Sequence, residues 1–267
     1  MINIVNGDIG YGEKLILNSI NLSIVKGEFV GVIGSSGAGK TTLLRAITNK
    51  ADIISGNVRV LGFDLSSISK KDLILLRSKI GFIFQGFNLV NRMNAIENVL
   101  SGMLHKISLF RSIIKLYKDE NIEKAYLCLK TVGLEKEALS RCDKLSGGQR
   151  QRVAIARALA QEPEMILADE PVAALDPYSA KEVMDILNKI NKELKVTVVA
   201  NLHQLEIAKD YSKRIVGVNN GNILFDNQTS LLSKSDTDEI YKKLIDKNIC
   251  FKENSKYIQK SIQAITI

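Results

Sequence analysis

The chain has 267 residues, of which 45% are hydrophobic and 25% charged, with three prolines and a formal charge of +8. That length and composition suit one folded domain with a large core, and they exclude a disordered chain. The excess of 37 Lys+Arg over 29 Asp+Glu is dispersed, apart from some crowding between Lys242 and Lys260, and reads as a solvated lysine-rich surface, with no block of the kind a nucleic-acid arm needs.

The cysteines, Cys128, Cys142 and Cys250, are odd in number and form no CxxC pair. This argues against a disulfide framework or a zinc site and for reducing surroundings. The N-terminus has no basic start followed by an apolar run, so no signal peptide is expected. No stretch of about 18 apolar residues occurs, so no segment is expected to span a membrane by itself. Any work at a membrane would go through a partner.

In chain order, the part up to about Ile33 reads as short strands. Leu15–Leu17, Ile20–Val25 and Phe29–Ile33 are rich in branched residues and broken by Gly and Asn. A glycine-rich turn and a helix from Lys40 to about Asn49 follow. Then come a strand at Asn57–Leu61, a helix at Asp72–Ser78 and an apolar strand at Ile80–Phe84. Between Asn91 and Cys142 the apolar spacing turns helical, at Met103, Ile107, Phe110, Ile114 and Tyr117, and again at Ala125, Leu129 and Val132. The amphipathic stretch Met103–Tyr117 has two readings: it packs within this insert, or it lies near a membrane partner, with Lys106, Arg111, Lys115 and the adjoining Lys118 on its polar side. Next come a helix at Gln149–Ala160, a strand at Met165–Ala168, a helix at Lys181–Leu194, a strand at Val196–Ala200 and a helix at Leu205–Asp210. Ile215–Val218 and Ile223–Phe225 flank Asn220-Gly221, a hairpin signal. Strands alternating with helices predict an α/β fold with a mainly parallel core sheet. The N-terminal strands predict an antiparallel β subdomain, and residues 91–145 an inserted α-helical subdomain. Residues 229–267 form a Lys-rich C-terminal extension whose role the sequence does not assign.

Gly34-Ser35-Ser36-Gly37-Ala38-Gly39-Lys40-Thr41 fits G-x-x-x-x-G-K-[ST] between an apolar strand and a helix, the context of a P-loop. Glycines let the backbone curl so that successive N–H groups converge on phosphate oxygens. The helix N-terminus adds partial positive charge. Lys40 supplies a cation for the β- and γ-phosphates, and the Thr41 hydroxyl suits Mg²⁺. With Thr42, the stretch is expected to bind ATP.

A second apolar strand ends in Asp169-Glu170. In an open α/β sheet that end faces the ligand crevice. Asp169 is expected to hold Mg²⁺ through water, and Glu170 to orient and polarise the attacking water. Phosphoryl transfer needs mainly positioning and charge neutralisation, so this pair suffices.

Leu145-Ser146-Gly147-Gly148-Gln149 stands just before the helix that starts at Arg150. With this run the chain resembles the ATP-binding-cassette (ABC) ATPases, whose signature is LSGGQ, over roughly residues 2–228. The resemblance implies a P-loop NTPase fold of ABC type and a homodimer. In that dimer Ser146, Gly147, Gly148 and Gln149 would grip the γ-phosphate of ATP held by the partner. It also implies that Tyr11 stacks on adenine, that Gln85 touches Mg²⁺ and the lytic water, that Asp176 lies in the D-loop, and that His203 contacts the γ-phosphate. The implied catalytic set is Glu170, His203, Gln85 and Lys40. The implied metal set is Thr41, Gln85 and Asp169, with ATP and Mg²⁺ as cofactors. One departure is Ala174, where the D-loop commonly carries Ser, so a hydrogen bond across the dimer would be missing.

Within the ABC proteins, Phe87–Arg92, Leu167–Ala173, Asn201–Gln204 and Asp210–Ile215 resemble the ATPase subunit of phosphonate importers. The implied function couples ATP hydrolysis to phosphonate uptake at the cytoplasmic face of the cell membrane. The implied partners are transmembrane permease subunits and, indirectly, an extracytoplasmic phosphonate-binding protein, with no nucleic acid. An importer of phosphate, phosphite or another small anion is the alternative within transport. A soluble ABC ATPase fits less well, because a long coiled-coil insert with CxxC and a second cassette are both absent. Glu170 and His203 argue against a regulator that binds ATP without turnover.

Overall fold

The computed structural model describes residues 1–107 and 117–233. Most of the amphipathic stretch Met103–Tyr117, and the extension beyond Ser233, lie outside the described residues.

The chain opens with β1 (Ile2–Tyr11), β2 (Lys14–Ile24) and β3 (Phe29–Ile33), followed by α1 (Lys40–Ile47), β4 (Asp52–Val60), β5 (Phe63–Asp64), α2 (Lys70–Ser78) and β6 (Ile80–Ile83). The helical insert holds α3 (Ala95–Ser101) and α4 (Asp119–Thr131). Then come α5 (Gly147–Ala160), β7 (Met165–Asp169), α6 (Pro177–Leu194), β8 (Thr197–Leu202), α7 (Leu205–Tyr211) and the hairpin β9 (Arg214–Asn219) and β10 (Asn222–Gln228).

These strands form the two expected sheets. One is antiparallel in the order β2-β1-β4-β5, and the other runs β10-β9-β3-β8-β7-β6. Within the second, β9, β3, β8, β7 and β6 are parallel neighbours and only β10 is antiparallel. The first strand of the nucleotide motif, β3, therefore sits between β8 and β9: Phe29 pairs with Val198, and Val30 with Arg214. β3, β7 and β8 are buried at every position, because a parallel sheet carries cover on both faces.

α1 lies between the two sheets and touches strands of both. One core fills that layer, with Ile2, Leu17, Val32, Leu43, Ile47 and Leu167 fully buried or nearly so. The other core lies on the opposite side of the parallel sheet, where Val99, Leu129, Val153, Ile166, Leu187 and Val198 join the sheet to α3, α4, α5 and α6. Cys142 and Cys128 behave as apolar residues. Burial pushes the Cys128 thiol up to about 11 and raises that of Cys142 as well.

Local chemistry explains the boundaries. α6 starts at Pro177, ahead of the predicted Lys181, because Asp176 caps it by accepting from Tyr178 N at 3.1 Å and Ser179 N at 3.0 Å, with Pro at the first helical position. β4 starts at Asp52 instead of Asn57. Gly56, at φ 81°, lets the strand continue through a register shift opposite Asn6, where a Cβ would meet the Asn6 carbonyl oxygen at 2.1 Å. The two short strands expected between Leu15 and Val25 are one strand, β2, with irregular pairing to β1 where Ser19 takes φ 48°.

Candidate active site

β3 delivers the chain into Gly34, where a Cβ would lie 2.1 Å from the Val218 carbonyl oxygen, so only glycine fits. The loop ends at Gly39, which caps α1 at φ 108° with no side-chain cap. Among the described residues no side chain occupies the first N–H donors of α1, and donors at a helix start suit an anion. The loop is pinned from behind by the β9–β10 turn: Gly221 N donates to Ala38 O at 3.1 Å, and Asn18 N donates to Gly221 O at 2.8 Å.

Lys40 is buried, and its Nζ donates to the carbonyls of Gly34 at 2.9 Å and Ser35 at 3.1 Å. Burial lowers its pKa, and the negative charges of Glu170 and Asp169 oppose that shift. Thr41 Oγ1 donates to Asp169 Oδ1 at 3.0 Å, so the P-loop and the end of β7 are already joined. The same Oδ1 accepts from Asn201 Nδ2, on the neighbouring strand β8, at 2.7 Å.

Glu170 follows Asp169 in a left-handed conformation, φ 52°. Its Oε2 accepts from Gln85 Nε2 at 2.8 Å, and its Oε1 lies 2.6 Å from His203 Nε2. Gln85 comes just after β6, and His203 directly after β8. The C-terminal ends of β3, β6, β7 and β8 thus bring together Lys40, Thr41, Gln85, Asp169, Glu170 and His203, the crevice expected of an open α/β sheet.

The oxygen donors of this group, the Thr41 hydroxyl, the Asp169 carboxylate and the Gln85 amide, fit a hard divalent cation. Among the described residues no cluster of three or more His, Cys, Asp or Glu side chains forms a preformed metal cage.

A second group forms around the start of α5. Ser146 Oγ accepts from Gln149 N at 3.2 Å, and Gln149 Oε1 accepts from Ser146 N at 2.9 Å, a complete capping box. Gly148 packs so closely on the start of α6 that a Cβ would meet Ser179 Oγ at 2.7 Å, and Leu175 lies beside Gly147. The signature run and the turn Ala174–Asp176 therefore meet within one subunit. Ala174 is exposed. Tyr11, at the end of β1, is partly exposed and accepts a 3.4 Å hydrogen bond from Arg45 Nη1 of α1.

Sequence reasoning missed three side chains here. One is Asn201, which the sequence marked only as part of the run Asn201–Gln204 that resembles phosphonate importers, and not as a partner of Asp169. Another is Arg157, whose guanidinium donates to the carbonyls of Asn88 and, at 3.1 Å, Phe87, two consecutive left-handed residues after Gln85. The third is Arg150, whose guanidinium lies 5.0 Å from the Phe87 ring centroid. Both arginines stand on α5, so the signature helix grips the segment that follows Gln85.

The ABC transporter family model matches residues 17–173. The chain is 46% identical over 236 residues to the phosphonates import ATP-binding protein PhnC of Lactobacillus delbrueckii subsp. bulgaricus, covering 88% of this chain and 90% of that protein. It is 46% identical to the phosphonates import ATP-binding protein PhnC 2 of Oceanobacillus iheyensis, covering 86% of this chain and 91% of that one. Among solved structures, the ATP-binding cassette MJ1267 in its ADP conformation aligns with a TM-score of 0.78 at 27% identity, over 90% of this chain and 98% of that chain. The post-hydrolysis dimer of the cassette MJ0796, bound to ADP and Pi, aligns with a TM-score of 0.74 at 35% identity, over 86% and 99%.

Proposed function

The chain belongs to the ABC transporter family, and from that premise we propose that it is the ATP-hydrolysing subunit of a phosphonate importer, working as a homodimer on membrane permease subunits. The observation that carries the hydrolytic role is the Glu170 carboxylate, held between Gln85 and His203 one residue beyond the Asp169–Thr41 pair.

In this reading Lys40 exchanges the carbonyls of its own loop for phosphate oxygens of ATP, and the N–H groups of Gly34–Thr42 cradle the rest. Tyr11 stacks on the adenine. Thr41, Asp169 and Gln85 would hold Mg²⁺, which neutralises phosphate charge when bound. Glu170 accepts a hydrogen bond from the attacking water and polarises it, while His203 steadies the carboxylate and meets the γ-phosphate. Ser146, Gly147, Gly148 and Gln149 of one subunit complete the site of the other, with Asp176 beside them. The dimers of MJ0796, at 35–36% identity, support this arrangement.

A groove between the parallel sheet and the helical insert, lined by Lys50, Phe82, Phe84, Gly102 and Arg157, supports a permease contact next to the Gln85 segment. No helix among the described residues is long and apolar enough to cross a membrane. In this reading the permease attaches the chain to the cytoplasmic face of the membrane. The curated relatives matched at 45–47% identity are phosphonate import subunits, which supports phosphonate as the cargo, delivered by an extracytoplasmic binding protein.

The test is Mg-ATP hydrolysis by the chain with its permease in lipid, comparing wild type with Glu170→Gln. Turnover is expected to fall by about 100-fold or more, of the order seen when a positioned acid–base group is lost, while ATP now holds a stable dimer. Full activity in the mutant would overturn the role of Glu170. Stimulation by a binding protein loaded with phosphonate, and not with phosphate or phosphite, is expected; the reverse preference would make the chain an importer subunit for another anion.

A further inference from the structure

Asn201 stands in the middle of the parallel sheet, fully buried, between aliphatic neighbours Ala200 and Leu202. It pairs with Asp169 on one side and Val32 on the other, which places its side chain on the same sheet face as that of Asp169. A carboxylate only accepts, so the amide must present its NH₂ group to Asp169, and the 2.7 Å contact is from Nδ2. Its Oδ1 is then left buried with no hydrogen-bond partner among the described residues. A buried acceptor without a partner weakens a fold, and an aliphatic residue in this strand would avoid that. Stability alone does not call for asparagine here.

We propose that Asn201 is a positioning residue of the metal site. The inference rests on the ATPase reading above. Asp169 Oδ1 receives two donors, Asn201 Nδ2 from β8 and Thr41 Oγ1 from the start of α1. A threonine hydroxyl that gives a lone pair to a metal keeps its proton for an acceptor, and Asp169 Oδ1 is that acceptor. Asn201 fixes Asp169 from a rigid central strand, Asp169 fixes the rotamer of Thr41, and Thr41 presents its oxygen to the cation. Partners one step behind the metal ligands orient them in this way, and their loss commonly weakens metal affinity by about 10- to 100-fold.

The test is binding of a fluorescent ATP analogue to the purified full chain, titrated with Mg²⁺ and repeated in EDTA, for wild type, Asn201→Val and Asn201→Ser. Melting curves accompany each variant. The half-saturating Mg²⁺ concentration is expected to rise about 10-fold or more in both variants, with affinity in EDTA within twofold of wild type. A Mg²⁺ response within twofold of wild type in a folded variant overturns the proposal. So does a loss of affinity as large in EDTA as in Mg²⁺, since that marks a general structural role. If Asn201→Val does not fold, Asn201→Ser is judged by the same criteria, and failure of both to fold also overturns it. A wild-type chain that binds no ATP would instead sink the ATPase reading and the proposal with it; binding by wild type with unchanged variants sinks the proposal alone.

Discussion

The two helix starts assigned to phosphate differ in how they are finished. α1 begins on a left-handed glycine with no side-chain cap, and its lysine is folded back onto the loop. α5 begins on Ser146 with both halves of a capping box made. The first start has unfilled donors; at the second the capping box fills two of them, the N–H groups of Ser146 and Gln149, before any ligand arrives. An uncapped start gives up stability that a ligand can restore, whereas a capped one is already stabilised by its own side chain, and the Ser146 hydroxyl, which accepts from Gln149 N, keeps its proton to donate to a phosphate. In the proposed function this difference suits an order in which ATP enters at α1 and α5 engages when a second subunit brings it there.

Removing the charge at the open start is expected to have the largest effect. Lys40→Ala should weaken ATP binding about 100-fold or more, roughly 2.7 kcal/mol, by equilibrium titration of the isolated chain. Wild-type affinity would mean the open start is not the primary site. At the capped start the tight spot is Gly148, where a Cβ would meet Ser179. Gly148→Ala is expected to destabilise the fold by about 1–3 kcal/mol, as overpacking does, with Ser179→Gly restoring part of it in a denaturant melt.

Ser146→Ala should lower stability by about 1 kcal/mol through the lost cap. ATP binding by the single chain should be untouched, while ATP-driven dimerisation weakens, as read by size-exclusion chromatography. Equal damage to both would break the proposed order. The smallest effect lies at Asp176. The hydrogen bond from Ser179 holds its carboxyl below the usual aspartate value, followed by backbone donors at the start of α6. Its folded pKa is depressed, so its contribution is present above the ordinary carboxylate range and is lost as pH falls through the folded value. A melting difference between wild type and Asp176→Asn at pH 7 should therefore persist down to the ordinary aspartate value of about 4 and shrink only as the pH falls below it, through the depressed folded value.

The open start was legible in the sequence and much of the capped one was too, because both are local: a glycine-rich turn, a lysine and a Ser-Gly-Gly run carry their chemistry within eight residues. The apolar strands of the parallel sheet were legible for the same reason, since burial on both faces writes a continuous aliphatic run. β1 and the front half of β4 were harder. Their half-buried alternation is interrupted by bulges around Asn6 and Gly56, which hide the period of two. The Asn201–Asp169 bond and the grip of Arg157 on Phe87 and Asn88 join residues remote in sequence. No local pattern announces such a pair; only the strand order and the packing of α5 create it.

That strand order also bears on how the protein is made. β3 leaves the ribosome more than 150 residues before either strand that flanks it, β8 (Thr197–Leu202) or β9 (Arg214–Asn219), and the turn that pins Ala38 is later still. Contacts so distant in sequence close slowly, and synthesis delivers the N-terminal part first. A nascent chain that has reached only Leu194 owns every residue of the P-loop and both acids, but it has no neighbours for the strand that carries the loop. On the proposed function, competence to hold nucleotide waits until β8 and β9 have been made, so a product stalled or cut before them would not compete for ATP.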